Sequence, residues 1–152
     1  VDGQNRSGGP QVILYLDTSS LVKLYVTEAH SGPVRDWVEE AEIIATCRVA
    51  YPEMVSALNR RFRGGDLEKR EYDLLVKTFS AEWQRLAVID FDEIAAGRLA
   101  EVYGLRGFDA VHLSAAGLLR SSGSAPAVAF SSFDEKLNLA AAAEKFTVLH
   151  PK

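Results

Sequence analysis

The segment VILYL, residues 12–16, leads directly into DTSS, residues 17–20, and this junction decides the fold. VILYL is apolar at every position, which is typical of a central strand that a parallel sheet buries on both faces. The strand is expected to end at Asp17, and the hydroxyl side chains that follow are good helix caps. A buried strand that passes straight into a helix indicates an α/β domain.

Strand-like and helix-like segments alternate along the rest of the chain. Further strands are predicted over residues 43–46, 87–89, 127–130 and 146–149. Helices are predicted over residues 31–42 and 135–143, with others that begin near Pro52, Asp66, Asp92 and Asp109. Asp66 and Asp92 are expected to be N-caps. The expected fold is therefore an α/β three-layer sandwich, in which a parallel sheet of four or five strands has helices on both faces.

Length and composition indicate one globular domain. The chain has 152 residues, 47% of them hydrophobic and 25% charged, which is close to the globular average. Residues 1–10 are rich in glycine and polar side chains, so they are expected to be a flexible tail or an expression remnant. Residues 11–152 remain as a single domain. No run approaches the ~18 apolar residues of a membrane span and no signal peptide is visible, so a cytoplasmic location is expected.

The net charge disfavours a protein that coats nucleic acid, and the cysteine content disfavours a disulfide-bonded or zinc-binding protein. With 17 basic and 21 acidic residues the net charge is -4, whereas a protein that coats nucleic acid is normally strongly basic. A nuclease whose extra carboxylates hold metal ions is still compatible with this charge. Cys47 is the single cysteine, so an intrachain disulfide is impossible, and no Cys/His cluster suggests zinc.

Four acids stand at predicted helix starts, and they are Asp17, Glu53, Asp109 and Asp134. Ligands of parallel α/β sheets bind beyond the carboxyl ends of the strands, and a helix start favours negative charge. Each acid alone is also explained as an ordinary N-cap or first-turn residue. If the four converge, like charges ~4 Å apart repel by about 4 kcal/mol at an effective dielectric near 20, so a cation is needed. Oxygen ligands without Cys or His suit Mg²⁺ or Mn²⁺.

Four stretches around these acids carry a family resemblance. They are LDTSSLVKLY at 16–25, PEMVSALNRR at 52–61, GFDAVHLSAA at 107–116 and SFDEKL at 132–137. In this order they resemble the four motifs of PIN domains, and the first strongly resembles the VapC-type toxins of VapBC toxin–antitoxin pairs. The similarity extends from Val12 to the C-terminus.

The resemblance implies a PIN-like sandwich with endoribonuclease activity. Asp17, Glu53, Asp109 and Asp134 would be the catalytic residues and would bind one or two Mg²⁺ or Mn²⁺ ions, which activate water and orient the scissile phosphate. Asp17 and Asp109 are the expected direct ligands, and Glu53 binds the metal or a metal-bound water. For Asp134 both direct ligation and action through water are open, because a fourth acid can act through water. The family also implies an RNA substrate, a homodimer, and a cognate VapB-like antitoxin whose C-terminal segment covers the groove.

Other polar residues of the motifs have two interpretations each. Ser19 and Ser132 are candidates to orient acids or waters, although local capping also explains them. His112, three residues after Asp109, is assigned a structural role rather than that of a catalytic base. Four basic residues are candidates for RNA contacts, with a solvated surface as the alternative: Lys23, Arg60, Arg61 and Arg63.

Two other functions share part of this sequence pattern and are alternatives to a ribonuclease. A haloacid-dehalogenase-like phosphatase also has an Asp after its first strand, but it needs a second Asp two residues later, where this chain has Ser19. A non-catalytic PIN module that binds RNA or protein is the other alternative, and the presence of all four acids disfavours it. The sequence does not choose among transfer, ribosomal and messenger RNA as the target.

Overall fold

A computed structural model describes residues 12–122 and 127–152 of the chain. The flexible tail expected over residues 1–10 lies outside these ranges. Within them, the strands are β1 Ile13–Leu16, β2 Ile43–Cys47, β3 Ala87–Ile89, β4 Val128–Ser131 and β5 Thr147–Val148. The α-helices are α1 Thr18–Leu21, α2 Ser31–Glu40, α3 Ala50–Arg63, α4 Lys69–Trp83, α5 Glu93–Tyr103, α6 Gly107–Ser121 and α7 Glu135–Ala143.

The five strands form one parallel sheet in the order β3-β2-β1-β4-β5. β1 is central, because Ile13 pairs with Ile43 of β2 on one side and with Val128 of β4 on the other. All four residues of β1 are buried, as the apolar segment predicted. Since the strands are parallel, their carboxyl ends meet at one edge of the sheet, and the loops that follow them share that edge.

The side chains of β1 alternate between two hydrophobic cores. Ile13 and Tyr15 belong to the core that also contains Phe130, whose ring stacks on Tyr15 with 5.5 Å between centroids. Leu14 and Leu16 belong to the second core, on the opposite face. Helices therefore cover both faces of the sheet, and the expected three-layer α/β sandwich with five strands is confirmed.

The prediction that Asp66 caps the fourth helix is wrong. The helix begins at Lys69 and its N-cap is Glu68, which forms a reciprocal capping box with Glu71. Asp66 instead donates its backbone N–H to the carbonyl of Arg61 at 2.8 Å, in the turn that ends the preceding helix. Asp92, by contrast, caps α5 as predicted, because its side chain accepts from the N–H groups of the first turn.

The other boundaries differ by one to three residues. The helix expected to end at residue 42 ends at Glu40, and the strand expected over 146–149 is limited to Thr147–Val148. That strand lies at the edge of the sheet and pairs only with β4, so little holds its ends in the ladder. No helix within the described residues is long and apolar enough to cross a membrane.

Candidate active site

One cleft of about 1380 Å³ lies where the loops after the strands meet. Its lining includes all four acids that the sequence analysis selected: Asp17, Glu53, Asp109 and Asp134. They come from four separate segments, namely the end of β1 and the first turns or N-cap of α3, α6 and α7. The fold thus brings together carboxylates that the sequence placed up to 117 positions apart (134 − 17).

Asp17 is the most buried of the four acids, with 4% of its surface exposed. It caps α1, and its Oδ1 accepts from the Ser20 N–H at 3.1 Å and from the Ser19 hydroxyl at 2.7 Å. Its Oδ2 accepts from the Ser132 hydroxyl at 2.6 Å. Burial raises the pKa of Asp17 even though these donors act in the opposite direction. The carboxylate is held in one orientation, and a neighbouring cation would strongly stabilise its ionised form.

Ser19 and Ser132 connect the acid to the two loops beside it. Ser19 donates to Asp17 and accepts from the backbone N–H of Phe133 at 2.9 Å. Ser132 donates to Asp17 and accepts from the backbone N–H of Asp134 at 3.0 Å. Each serine therefore both contacts the acid and closes a local turn, so orientation and capping are performed by the same hydroxyls.

Glu53 lies in the first turn of α3, and both of its donors reach the same oxygen. The Thr18 hydroxyl donates to Oε1 at 2.6 Å, and the Nε2 atom of His112 lies 2.7 Å from Oε1. Burial acts to raise the pKa of Glu53, but the contacts with His112 and Thr18 outweigh it, so the pKa is lowered. Glu53 is therefore ionised at neutral pH.

His112 and Thr18 contact Glu53, and the sequence analysis did not include them among the site residues. His112 is 2% exposed and its Nδ1 lies 2.7 Å from the hydroxyl of Tyr15. The available signal was the spacing of three between Asp109 and His112, which places both on one face of a helix. Thr18 had no such signal, because its contact with Glu53 joins residues 35 positions apart.

Asp109 and Asp134 are bridged by an arginine. Arg106 lies 3.4 Å from Oδ2 of each acid, and its side chain is 83% exposed. Burial, and then the charge of Asp134, raise the pKa of Asp109. The two carboxylates repel each other, and a positive group between them relieves the repulsion. Arg106 was not predicted as a site residue, although it stands three positions before Asp109.

The four basic candidates for RNA contact are not equivalent. Lys23, Arg60 and Arg61 line the cleft, whereas Arg63 is not part of its lining and donates to Asn59 at 2.8 Å. Lys23 and Arg61 both pair with Glu28, at 2.9 and 2.6 Å. Two of these three cleft-lining candidates, Lys23 and Arg61, are thus already partly neutralised within the chain.

The donor set fits a hydrated divalent cation better than a fully caged one. Among residues 12–122 and 127–152, no three His, Cys, Asp or Glu side chains stand close enough together to hold a metal ion by themselves. The cleft nevertheless offers carboxylate and hydroxyl oxygens, the donors that Mg²⁺ and Mn²⁺ prefer. Mg²⁺ usually keeps several waters and binds through one or two carboxylates, which is compatible with acids spread around this cleft.

Comparison with known proteins agrees with the geometry. Residues 14–143 match the sequence profile of the PIN domain. The chain belongs to the PIN-domain family. Ribonuclease VapC45 of Mycobacterium tuberculosis is 33% identical to this PIN domain over 107 residues, which is 68% of this chain and 74% of the relative. The resemblance to VapC-type PIN domains drawn from the four motifs is thereby confirmed.

Two solved structures have the same fold at low identity. One is the sarcin-ricin loop cleaving toxin VapC20 of M. tuberculosis, with a TM-score of 0.60 and 17% identity, covering 91% of this chain and 99% of that chain. The other is FitAcB from Neisseria gonorrhoeae, with a TM-score of 0.64 and 14% identity, covering 90% and 96%. At these identities the likeness concerns the fold alone.

Proposed function

We propose that this PIN domain is a metal-dependent endoribonuclease and the toxin component of a type II toxin–antitoxin pair. The observation that carries the proposal is the convergence of Asp17, Glu53, Asp109 and Asp134 on one cleft at the carboxyl edge of the sheet. The relatives named ribonuclease VapC support RNA as the substrate. The family match favours this proposal over the phosphatase alternative.

The proposed chemistry is hydrolysis of an RNA phosphodiester. A Mg²⁺ or Mn²⁺ ion bound through one or two of the carboxylates of Asp17, Asp109 and Glu53, with water completing its coordination, would supply an activated water and stabilise charge on the phosphate. Asp134 is a candidate to act on that ion through water. Ser19 and Ser132 hold the Asp17 carboxylate in place by donating to both of its oxygens. Preorganised ligands of this kind lower the cost of binding the ion in the correct position.

Binding of RNA is proposed to use the basic side chains that line the cleft. Lys23, Arg60 and Arg61 are positioned to contact the phosphate backbone. Arg63 stays the weakest candidate, because it lies outside the lining. Lys23 and Arg61 would have to share their charge between Glu28 and the phosphates.

A cleavage assay on single-stranded RNA tests the proposal. We expect cutting with Mn²⁺, none with excess EDTA, and none by Asp17→Asn, whereas the exposed Glu42→Gln serves as the matched control and cuts like the parent. Undiminished cleavage in EDTA contradicts the metal mechanism. RNA that is bound but never cut identifies a non-catalytic PIN module, and hydrolysis of a phosphomonoester in place of RNA identifies a phosphatase.

The proposed partners are a second copy of the chain and a VapB-like antitoxin. An acidic cleft is a receptor for a guanidinium, which pairs with carboxylates, and the contact of Arg106 with Asp109 and Asp134 is an internal example. We expect the antitoxin to place a basic side chain near Asp17 and Asp109 and to displace the metal. Copurification with the product of the adjacent gene, light scattering and cleavage assays test this. An antitoxin that binds and leaves cleavage intact contradicts it.

A further inference from the structure

Glu53 is oriented by a chain of buried groups that begins on the central strand. Tyr15, in β1, is fully buried, and its hydroxyl lies 2.7 Å from Nδ1 of His112. The other nitrogen of this ring, Nε2, lies 2.7 Å from Oε1 of Glu53. The hydroxyl of Thr18 donates to the same oxygen at 2.6 Å and lies 3.3 Å from Nε2 of His112.

The directions of these hydrogen bonds follow from the donor and acceptor inventory. A carboxylate only accepts, so the 2.7 Å contact with Glu53 requires a proton on Nε2 of His112. In a neutral imidazole the other nitrogen, Nδ1, then accepts, and the phenol of Tyr15 is the group that donates to it. Tyr15 therefore selects the tautomer of His112 that can donate to Glu53.

Both donors occupy a single oxygen of Glu53. Oε1 receives the bonds from Thr18 and His112, and Oε2 has no hydrogen-bond partner in the described part of the chain. Glu53 itself lines the cleft. The arrangement fixes the rotation of the carboxylate and leaves one oxygen for a ligand, which is what groups around a metal-binding side chain commonly do.

We infer that His112, held in one tautomer by Tyr15, and Thr18 are positioning residues that aim the free oxygen of Glu53 at a divalent cation in the cleft. This inference rests on the proposed function and deepens it. His112 is neither a general base nor a ligand here, because one of its nitrogens is used by Tyr15 and the other by Glu53.

The tautomer of His112 is tested without metal. The ¹⁵N shifts of the imidazole in the parent protein with EDTA are expected to show a protonated Nε2 and an unprotonated Nδ1. The chain has three histidines, so the His112→Gln variant assigns the signals. In Tyr15→Phe the preference for this tautomer should weaken. A parent protein with the proton on Nδ1 alone would overturn the inference, whatever its activity.

The positioning role is tested by calorimetric titration with Mn²⁺. Groups that orient a ligand typically change metal affinity by about 10–100-fold, so His112→Leu and Thr18→Val are expected to raise the Kd for Mn²⁺ about 10-fold or more. His112→Gln keeps a donor near the position of Nε2, and Thr18→Ser keeps the hydroxyl, so both should stay within about 3-fold of the parent.

Ser114→Ala is the matched control. Ser114 is buried on the same helix as His112 and donates to the carbonyl of Asp92, away from Glu53. Its removal should leave the Kd for Mn²⁺ unchanged. If His112→Leu does not fold, Thr18→Val decides, and parent-like affinity in that variant overturns the inference. If the parent itself binds no Mn²⁺, the proposed function is contradicted. The ¹⁵N experiment then still tests, separately, whether His112 has the tautomer that the hydrogen bonds from Tyr15 and to Glu53 require.

Discussion

The two sides of the acidic cleft hold their carboxylates by different means. On the side formed by β1 and α3, Asp17 and Glu53 accept from hydroxyl, imidazole and backbone groups that are largely buried. On the side formed by α6 and α7, Asp109 and Asp134 share one exposed arginine at 3.4 Å. The side chain of that arginine is 83% exposed, so water competes with both contacts.

This difference separates a preorganised half of the site from an adjustable half. The donors to Asp17 and Glu53 fix the orientation of these carboxylates. Because the carboxylates keep their negative charge, a cation nearby is still favourable. Arg106 partly offsets the negative charge of Asp109 and Asp134, so it would compete with the proposed metal ion for these carboxylates. Changes on the first side should therefore damage the proposed activity more than changes on the second.

The largest effect is expected from Asp17→Asn. A neutral amide is a poorer ligand, so RNA cleavage with Mn²⁺ should fall about 100-fold or more, which corresponds to the several kcal/mol that a metal site supplies. The metal-free protein should be as stable as the parent or more stable, because an ionised group has left a buried position and Asn caps a helix about as well as Asp.

Thermal melts with and without Mn²⁺ accompany the cleavage assay. Stabilisation by Mn²⁺ should shrink in Asp17→Asn, since a ligand stabilises only the state that it binds. Glu42→Gln, which changes an exposed acid outside the cleft, should alter neither quantity. An Asp17→Asn variant that cleaves like the parent would remove the preorganised half from the comparison.

A smaller loss is expected from Asp134→Asn. Asp134 also caps its helix by accepting from the Leu137 N–H at 2.8 Å, and Asn preserves that cap. If the acid acts through water, its loss should weaken Mn²⁺ binding by about 10-fold, the lower end of the range for indirect groups. Calorimetry on both variants measures this. A loss equal to that of Asp17→Asn would show that the two sides contribute alike.

The central sheet could be predicted because its signal is local. VILYL is apolar on both faces, and β1 is the middle strand of the five, with a hydrophobic core on each face. The rule that ligands bind at the carboxyl ends of parallel strands then selected four acids that all line the cleft, although Glu28 and Glu93 line it as well. Asp66 misled the helix assignment because a good capping residue also fits the turn after the preceding helix, where its backbone is used.

The contacts between segments could not be predicted in the same way. The pairing of Thr18 with Glu53 and the bridge from Arg106 to Asp134 join residues 35 and 28 positions apart. No period or motif in one segment specifies the side chain that faces it from another. Arg63 illustrates the same limit, because it follows two arginines that line the cleft and is itself directed to Asn59.

A moderate gain in metal binding is expected from Arg106→Ala. In this variant no guanidinium competes with Mn²⁺ for Asp109 and Asp134. Exposed ion pairs are worth about 0–1 kcal/mol, so the affinity for Mn²⁺ should rise by up to about 5-fold. Arg98→Ala is the matched control, since Arg98 is exposed and lies outside the cleft lining. Calorimetry at low ionic strength measures the change. Weaker Mn²⁺ binding in Arg106→Ala would mean that Arg106 assembles the adjustable half rather than blocking it.

The smallest effect concerns the stability of the metal-free protein as a function of pH, where Glu53 and Asp109 should differ in sign. Burial, and then the charge of Asp134, raise the pKa of Asp109 above its unfolded value. The folded state therefore binds more protons, and stability falls as the pH rises from the unfolded pKa through the folded pKa. The pKa of Glu53 is lowered, because its contacts with His112 and Thr18 outweigh burial. Its contribution to stability is therefore present above the unfolded pKa and is lost as the pH falls through the folded pKa.

Thermal melts in EDTA between pH 3 and pH 7 compare Asp109→Asn and Glu53→Gln with the parent. The difference in Tm, variant minus parent, should increase with pH for Asp109→Asn and decrease for Glu53→Gln. Each change should amount to a few degrees at most, since about 1 kcal/mol moves Tm by roughly 2–4 °C in a domain of this size. Two differences that change in the same direction would show that Glu53 and Asp109 experience the same kind of environment.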